Sequence, residues 1–263
     1  MVDVESVVIE GQLAKHYAQE SKPTAAGTLL RCSDAGSCER KRWFAATGVE
    51  RSEYIDAATL LAFHVGTAVH EFVQDAFVEN AADFPWSVEN EVVVDLTGFG
   101  VSLSGSADTV ITMKSGQKIV MEFKTATAYG AKMALDAPKR EHVGQAGLYA
   151  RGLGADAIQI VYVSKETSFR DGIRAGQIIS HYFEMDDEVF PTESVNDVVD
   201  FELERFRRVE EAVVEERVPD AVVWDSKENE LSVVVSPAPY GKPSKGGHWE
   251  CRYCQYNSAC SDI

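Results

Sequence analysis

The chain has 263 residues, 45% of them hydrophobic, and its 42 acidic against 25 basic side chains leave a formal net charge of -17. That length and apolar content are enough for a real core in one large domain, or one domain with appendages. The charge argues against a protein that coats duplex DNA through a broad basic surface, although a narrow channel behind an acidic exterior remains compatible with it.

The acidic start, MVDVESVVIEGQ, has no basic n-region and no sustained apolar h-region, so no signal peptide is expected. The longest apolar run, near AATLLAF, is far too short to span a bilayer. The expectation is a soluble cytoplasmic protein without a membrane partner. The first 80 residues read as helical. SVVIEGQLAKHYAQE is amphipathic, Ser37-Cys38-Glu39-Arg40 could open a short helix, and Leu61, Val65, Ala68, Phe72 and Ala76 recur at helical spacing.

A β-rich centre follows. VENEVVVDL, GVSLSGSADTVITM and QKIVMEFKTA alternate or run apolar, with turns at Thr97-Gly98 and Lys114-Ser115-Gly116. Pro138 to Gly152 reads as a helix, DAIQIVYVSKE and GQIISHYFEM as two more strands. A long helix then carries Val195, Val199, Leu203, Phe206, Val209 and Val213 and stops before Pro219. The last stretch turns Pro/Gly/Lys-rich before three clustered cysteines. The fold class expected is α/β or α+β: a mixed central sheet flanked by helices, with a loop-rich C-terminal cap.

KIVMEFKTA is the most informative interior stretch. Alternation puts Glu122 and Lys124 on one face of an apolar strand, with Phe123 pointing the other way into the core. A buried carboxylate and ammonium need partners, whereas on a solvent face the same pair is an ordinary salt bridge. Asp108 lies on what should be the neighbouring strand of a hairpin turning at Lys114-Ser115-Gly116, so Asp108 and Glu122 could share a hard cation such as Mg²⁺ or Mn²⁺. Gly105 would let a phosphate backbone come close. Gly66 and His70 fall one helical turn apart; a helical His is commonly structural, but as a third ligand it would tilt the site toward Mn²⁺. His142, Gln145 and Tyr149 form a polar stripe among the small residues Gly144, Ala146, Gly147 and Ala150.

Taken in order, G-x-x-x-H, G-x-x-D, E-F-K and Q-x-x-x-Y over residues 66–149 resemble the RecB-type branch of the PD-(D/E)xK nuclease superfamily. The resemblance implies a restriction-endonuclease-like mixed sheet in which Asp108, Glu122 and His70, with the backbone carbonyl of Phe123, hold Mn²⁺ or Mg²⁺. Lys124 would act on the attacking water or on charge at phosphorus, supported by Gln145 and Tyr149. The activity implied is a DNA exonuclease acting on single-stranded ends, in recombination and repair, phage DNA metabolism or CRISPR adaptation. Its relatives include CRISPR-associated RecB-like and phage or bacterial exonucleases. Recombination or CRISPR adaptation proteins are then possible partners, and ring-shaped homo-oligomers occur among relatives.

Five cysteines without an export signal favour metal binding over disulfides. In one branch of the family a lone N-terminal cysteine joins three C-terminal ones around a [4Fe–4S] cluster. Cys251, Cys254 and Cys260 in WECRYCQYNSAC resemble that signature, and Cys38 in CERKRWF fits the partner, with Cys32 as the alternative. A structural Zn²⁺ is the other reading, although such sites usually pair two short knuckles. Arg40, Lys41, Arg42 and Trp43 are candidates for contacting a threaded strand. The domain expectation is a single nuclease domain over 1–263: a helical N-terminal region over 1–80 containing Cys38, the catalytic sheet and helix 81–185, a long helix 186–218 and a cysteine-rich cap 219–263. Two rival classes use the same fold: a non-catalytic DNA-binding adaptor, and a redox-responsive DNA-binding protein whose cluster senses oxidation.

Overall fold

The computed structural model describes residues 30–51, 57–225, 230–234 and 249–263. The amphipathic segment expected within the first 20 residues and the Pro/Gly/Lys-rich stretch near 236–247 lie outside the described residues. The chain divides into two compact units, one holding 38–65 with 212–263 and the other 29–37 with 66–211. Among the described residues no helix is long and apolar enough to cross a membrane.

The larger unit is built on a mixed sheet of β1 (Leu30–Arg31), β2 (Trp86–Asp95), β3 (Leu103–Met113), β4 (Lys118–Ala126), β5 (Ala157–Ser164) and β6 (Ile178–Glu184). Alternation and turn chemistry place β2–β6 within a few residues of expectation, whereas β1 falls in the N-terminal region read as helical. The β3–β4 hairpin turns at Lys114–Gly116, with Gly116 at φ 91°, a conformation glycine adopts without steric cost. β4 and β5 are parallel, which requires a crossover. It is supplied by α3 (Ala128–Ala134), a short helix not anticipated from the sequence, and α4 (Arg140–Leu153).

One sheet edge is divided. β2 runs antiparallel along Ser104–Met113 of β3, leaving the other edge of β3 to two different strands. β4 pairs only with Thr109–Thr112, and β1 pairs parallel with Leu103–Ser104. Residues 105–108 of β3 therefore face a split between β4 and β1.

Helix packing follows from small residues. A Cβ on Gly147 would stand 2.5 Å from Val199 and one on Gly144 would stand 3.2 Å from Glu202, so these glycines let α5 (Val195–Val214) lie close against α4. Val195, Val199, Leu203, Phe206 and Val209 of α5 are all buried, as their spacing predicts. Helix α2 (Ala57–Glu79) also forms, but the stripe read from the sequence is not its buried face: Phe72 is 76% exposed. Val73 and Phe77 instead pack on a core of Ile111, Met121, Phe123 and Val161.

The smaller unit contains α1 (Glu39–Thr47), the hairpin of β9 (Val222–Asp225) and β10 (Glu230–Val233), and a tail ending in α6 (Asn257–Ser261). A short hairpin, β7 (Glu188–Phe190) with β8 (Glu193–Ser194), precedes α5 in the larger unit. Phe44 of α1 packs on Tyr256 at 5.3 Å between ring centroids, and the Trp43 indole donates to Ala212 O at 3.2 Å.

Candidate active site

The β3–β4 register runs Thr112↔Lys118 to Thr109↔Met121, so the next opposed pair is Asp108 and Glu122. There the ladder opens, and a side chain replaces the backbone acceptor: Phe123 N donates to Asp108 Oδ2 at 2.8 Å. Alternation along β4 sends Phe123 into the core and keeps Glu122 and Lys124 together on the other face. Lys124 Nζ donates to Glu122 Oε1 at 2.5 Å and to Gln145 Oε1 at 3.0 Å. Gln145 Nε2 donates onward to Tyr149 Oη at 3.1 Å. Gln145 and Tyr149 lie four apart on α4, which aligns them, and the Gln145 amide is thereby oriented from both ends.

Helix α2 reaches the same point. A Cβ on Gly66 would meet Thr125 Oγ1 at 3.3 Å, so the absence of a side chain lets the helix approach β4 closely. One turn on, His70 Nδ1 stands 3.7 Å from Asp108 Oδ2. Four residues further, Gln74 Nε2 donates to Asp108 O at 2.6 Å and to Glu91 Oε1 at 2.9 Å.

The electrostatics are dominated by burial. Glu122 is 1% exposed, and its Oε2 is buried without a hydrogen-bond partner. Burial pushes its carboxyl up to about 7, with Lys124 opposing and the charge of Asp108 adding to the rise. Burial also raises Asp108, against the Phe123 N–H and the charges of His70 and Lys124. Burial lowers His70, with Asp108 opposing. Buried polar atoms are almost always satisfied, and two adjacent buried carboxylates are relieved either by a shared proton or by a bound cation, which releases the proton. Two carboxylates, a main-chain carbonyl and an imidazole form a donor set suited to Mn²⁺ or Mg²⁺. Among the described residues no three His, Cys, Asp or Glu are already gathered closely enough to hold a metal by themselves. The orphaned Glu122 oxygen is the feature that fits the ion.

Two expectations change, those for Gly105 and His142. Gly105 does not open β3 to a phosphate, because Tyr149 lies on it: a Cβ there would stand 2.7 Å from Tyr149 Cε1 and 3.3 Å from Cys32 Cβ. Cys32 belongs to this larger unit, with its thiol pushed up to about 12 by burial, and Cys38, Cys251, Cys254 and Cys260 belong to the smaller one. His142 leaves the polar stripe, its Nδ1 lying 2.8 Å from the Tyr162 hydroxyl.

The basic-aromatic run of α1 is engaged within its own unit. Arg42 is 1% exposed and so presents no guanidinium to solvent. Arg40 donates to Pro219 O at 2.9 Å and to Cys260 Sγ at 3.4 Å. None of the five cysteines is disulfide-bonded. Burial raises the thiol of Cys38 to about 11 and also raises that of Cys254.

Sequence reasoning missed Gln74 and Glu91. Gln74 was legible in principle, since it shares a helix face with His70. Glu91 was not: it sits at φ 51° inside β2, held by Gln74 and by Ser106 Oγ at 2.9 Å. Such a conformation costs about 1–3 kcal/mol and persists only where its surroundings hold it.

The model of the PD-(D/E)XK nuclease superfamily matches residues 40–261. Among solved structures, SSO0001 is 16% identical, with 99% of this chain and 97% of that one covered at a TM-score of 0.51, which speaks to the fold. The alkaline exonuclease LHK-Exo from Laribacter hongkongensis is 15% identical, covering 59% of this chain and 73% of that one at a TM-score of 0.39. LHK-Exo in complex with dAMP, also 15% identical, covers 72% and 93% at 0.41. No curated protein matches the chain. With the family match running through β3, β4 and α4, the chain belongs to the PD-(D/E)XK nuclease superfamily.

Proposed function

We propose that the protein is a metal-dependent deoxyribonuclease, an exonuclease acting on single-stranded DNA ends. The observation that supports this reading best is Glu122: buried, bonded through one oxygen to Lys124, with the other oxygen unpartnered beside Asp108. A cation held by Asp108, Glu122, His70 and the Phe123 carbonyl would polarise the scissile phosphate and acidify water. Lys124, fixed between Glu122 and Gln145, positions the attacking water and offsets charge gathering on the phosphate. Hydrolysis joins the water oxygen to phosphorus and breaks the bond to the leaving sugar oxygen, which takes up a proton. Gln145 and Tyr149 act through Lys124, as positioning residues.

The test is digestion of single-stranded DNA labelled separately at each end, in Mn²⁺, Mg²⁺ or chelator, with Glu122→Ala and Lys124→Ala beside wild type. Metal-dependent cleavage that falls about 100-fold or more in both variants is expected, and the labels give polarity. Wild-type protein that binds DNA but leaves it intact with either metal would sink the proposal.

We also infer a [4Fe–4S] cluster on Cys38, Cys251, Cys254 and Cys260. The reading is supported by the C-x2-C-x5-C spacing and by the Arg40 donor on Cys260, since hydrogen bonds to sulfur are a feature of such sites. Anaerobically purified protein should carry about four iron per chain. Colourless protein with stoichiometric zinc would replace the cluster by a structural Zn²⁺ without touching the nuclease reading.

A further inference from the structure

The C-terminal ends of β4 and β5 lead directly into two surface segments. β4 ends at Ala126, just past Lys124, and α3 begins at Ala128. β5 ends at Ser164, the register partner of Ala126, and Lys165 N donates to Ala126 O at 2.8 Å. The loop that follows, 165–177, is fastened along α3 at two points. Glu166 Oε2 accepts from Ala128 N at 2.9 Å, and Asp171 Oδ1 accepts from Lys132 Nζ at 2.7 Å. Ser168 Oγ donates to the second oxygen of Asp171 at 2.7 Å, and Ala175 N donates to Thr167 Oγ1 at 3.0 Å. The loop is therefore held in place by its own side chains.

Between the same two fasteners each segment presents an aromatic ring to water: Tyr129 is 71% exposed on α3 and Phe169 is 93% exposed on the loop. A single exposed ring needs no explanation. Two rings bracketed by one pair of anchors, at the end of the strand that carries Lys124, make a defined surface. The acids Glu166 and Asp171 are occupied by the anchors, whereas Lys165, Arg170 and Arg174 have no acidic partner among the described residues. On a chain of net charge -17, a polyanion meets few such places.

We propose that α3 and the 165–177 loop form a stacking platform for the single-stranded DNA next to the scissile phosphate. Tyr129 and Phe169 take base faces, and Lys165, Arg170 and Arg174 take phosphates. The assignment rests on the nuclease reading above and names where its substrate lies. A strand rises about 3.3 Å per residue, which puts the start of α3 about 13 Å from Lys124, within reach of adjacent nucleotides. Stacking requires an unpaired base with an open face, so the platform selects single strands over duplex.

The test is a Tyr129→Ala/Phe169→Ala double variant. Binding of fluorescent oligodeoxythymidylate is followed by anisotropy in chelator, and cleavage of a long single strand is measured with Mn²⁺. The platform predicts a Kd raised about tenfold or more, a raised KM with kcat retained, and recovery of affinity in Tyr129→Phe/Phe169→Trp. Arg170→Gln/Arg174→Gln should reduce the salt slope of binding by about 1.4. Because the rings are exposed, the thermal melt should stay unchanged. Wild-type affinity and KM in the double alanine variant would overturn the platform while leaving the nuclease reading standing. Lost single-strand binding in a protein whose wild type cleaves nothing would retain the platform and remove the nuclease.

Discussion

Alanine at position 105 probes the site from a residue that does no chemistry. Its Cβ would stand 2.7 Å from Tyr149 Cε1 and 3.2 Å from Tyr149 Oη. Carbon–carbon contacts are optimal at about 3.5–4.0 Å, so the ring must retreat by about 1 Å. Tyr149 is buried within α4 and has no open space to swing into, and overpacking of this kind costs about 1–3 kcal/mol. The retreat also stretches the 3.1 Å Gln145–Tyr149 hydrogen bond beyond its working range. That adds about 1 kcal/mol and releases the amide that orients Lys124. Gly105→Ala should thus lose about 2–4 kcal/mol in urea unfolding followed by circular dichroism. Cleavage of single-stranded DNA at saturating Mn²⁺ should fall about tenfold or more, since misplacement of about 1 Å can cost up to 100-fold. Pairing it with Tyr149→Leu removes the clash and should recover some of the stability but none of the rate. A Gly105→Ala protein with the wild-type midpoint and rate would refute the placement of Tyr149 over Gly105.

Arg205 and Glu202 form a fully buried ion pair at 2.9 Å on α5, with Arg205 also donating to Ser37 O at 2.7 Å and Glu202 accepting from Gly36 N at 3.1 Å. Arg205→Met should cost about 3–5 kcal/mol by leaving a buried carboxylate, and Arg205→Met/Glu202→Met should cost less, measured by the same urea titration; equal losses in both would rule the argument out. His142 is held neutral, its pKa lowered well below the ordinary 6.5 by burial and then by the charges of Lys124 and Lys139. The Tyr162 hydroxyl already accepts from Lys139 N at 3.0 Å, so its proton goes to His142 Nδ1. A depressed folded-state pKa gives stability that is complete above the unfolded value and is lost as pH falls through the window below about 6.5, by up to about 1.4 kcal/mol per pH unit. His142→Gln should lose less stability than wild type between pH 7 and 5.5, and parallel losses would show that other groups carry the acid sensitivity.

Apolar periodicity made the strands, α4 and α5 legible, because each buries one face along its own length. The facing of Asp108 and Glu122 was legible too, since the turn at Lys114–Gly116 fixes the hairpin register on which both depend. The buried face of α2 was not: an apolar stripe names residues able to pack, and here Phe72 stays outside while Gln74 goes in. The polar stripe of α4 divided for a similar reason. Gln145 met Lys124 and passed the contact on to Tyr149, while His142 was taken by Tyr162, the register partner of Lys124 on β5.

By itself, then, the chain order of local patterns determined the main strands and long helices, the pairing of the β3–β4 hairpin and the side-chain set Asp108, Glu122 and Lys124 carried on it. Tertiary structure decided what lies against that set. The split of the β3 edge between β1 and β4, the Tyr149 ring over Gly105, the burial that raises Glu122 and the loop fastened along α3 all join residues distant in sequence. Local periodicity carries no record of such contacts, because they arise only when one element's surface is closed by another's.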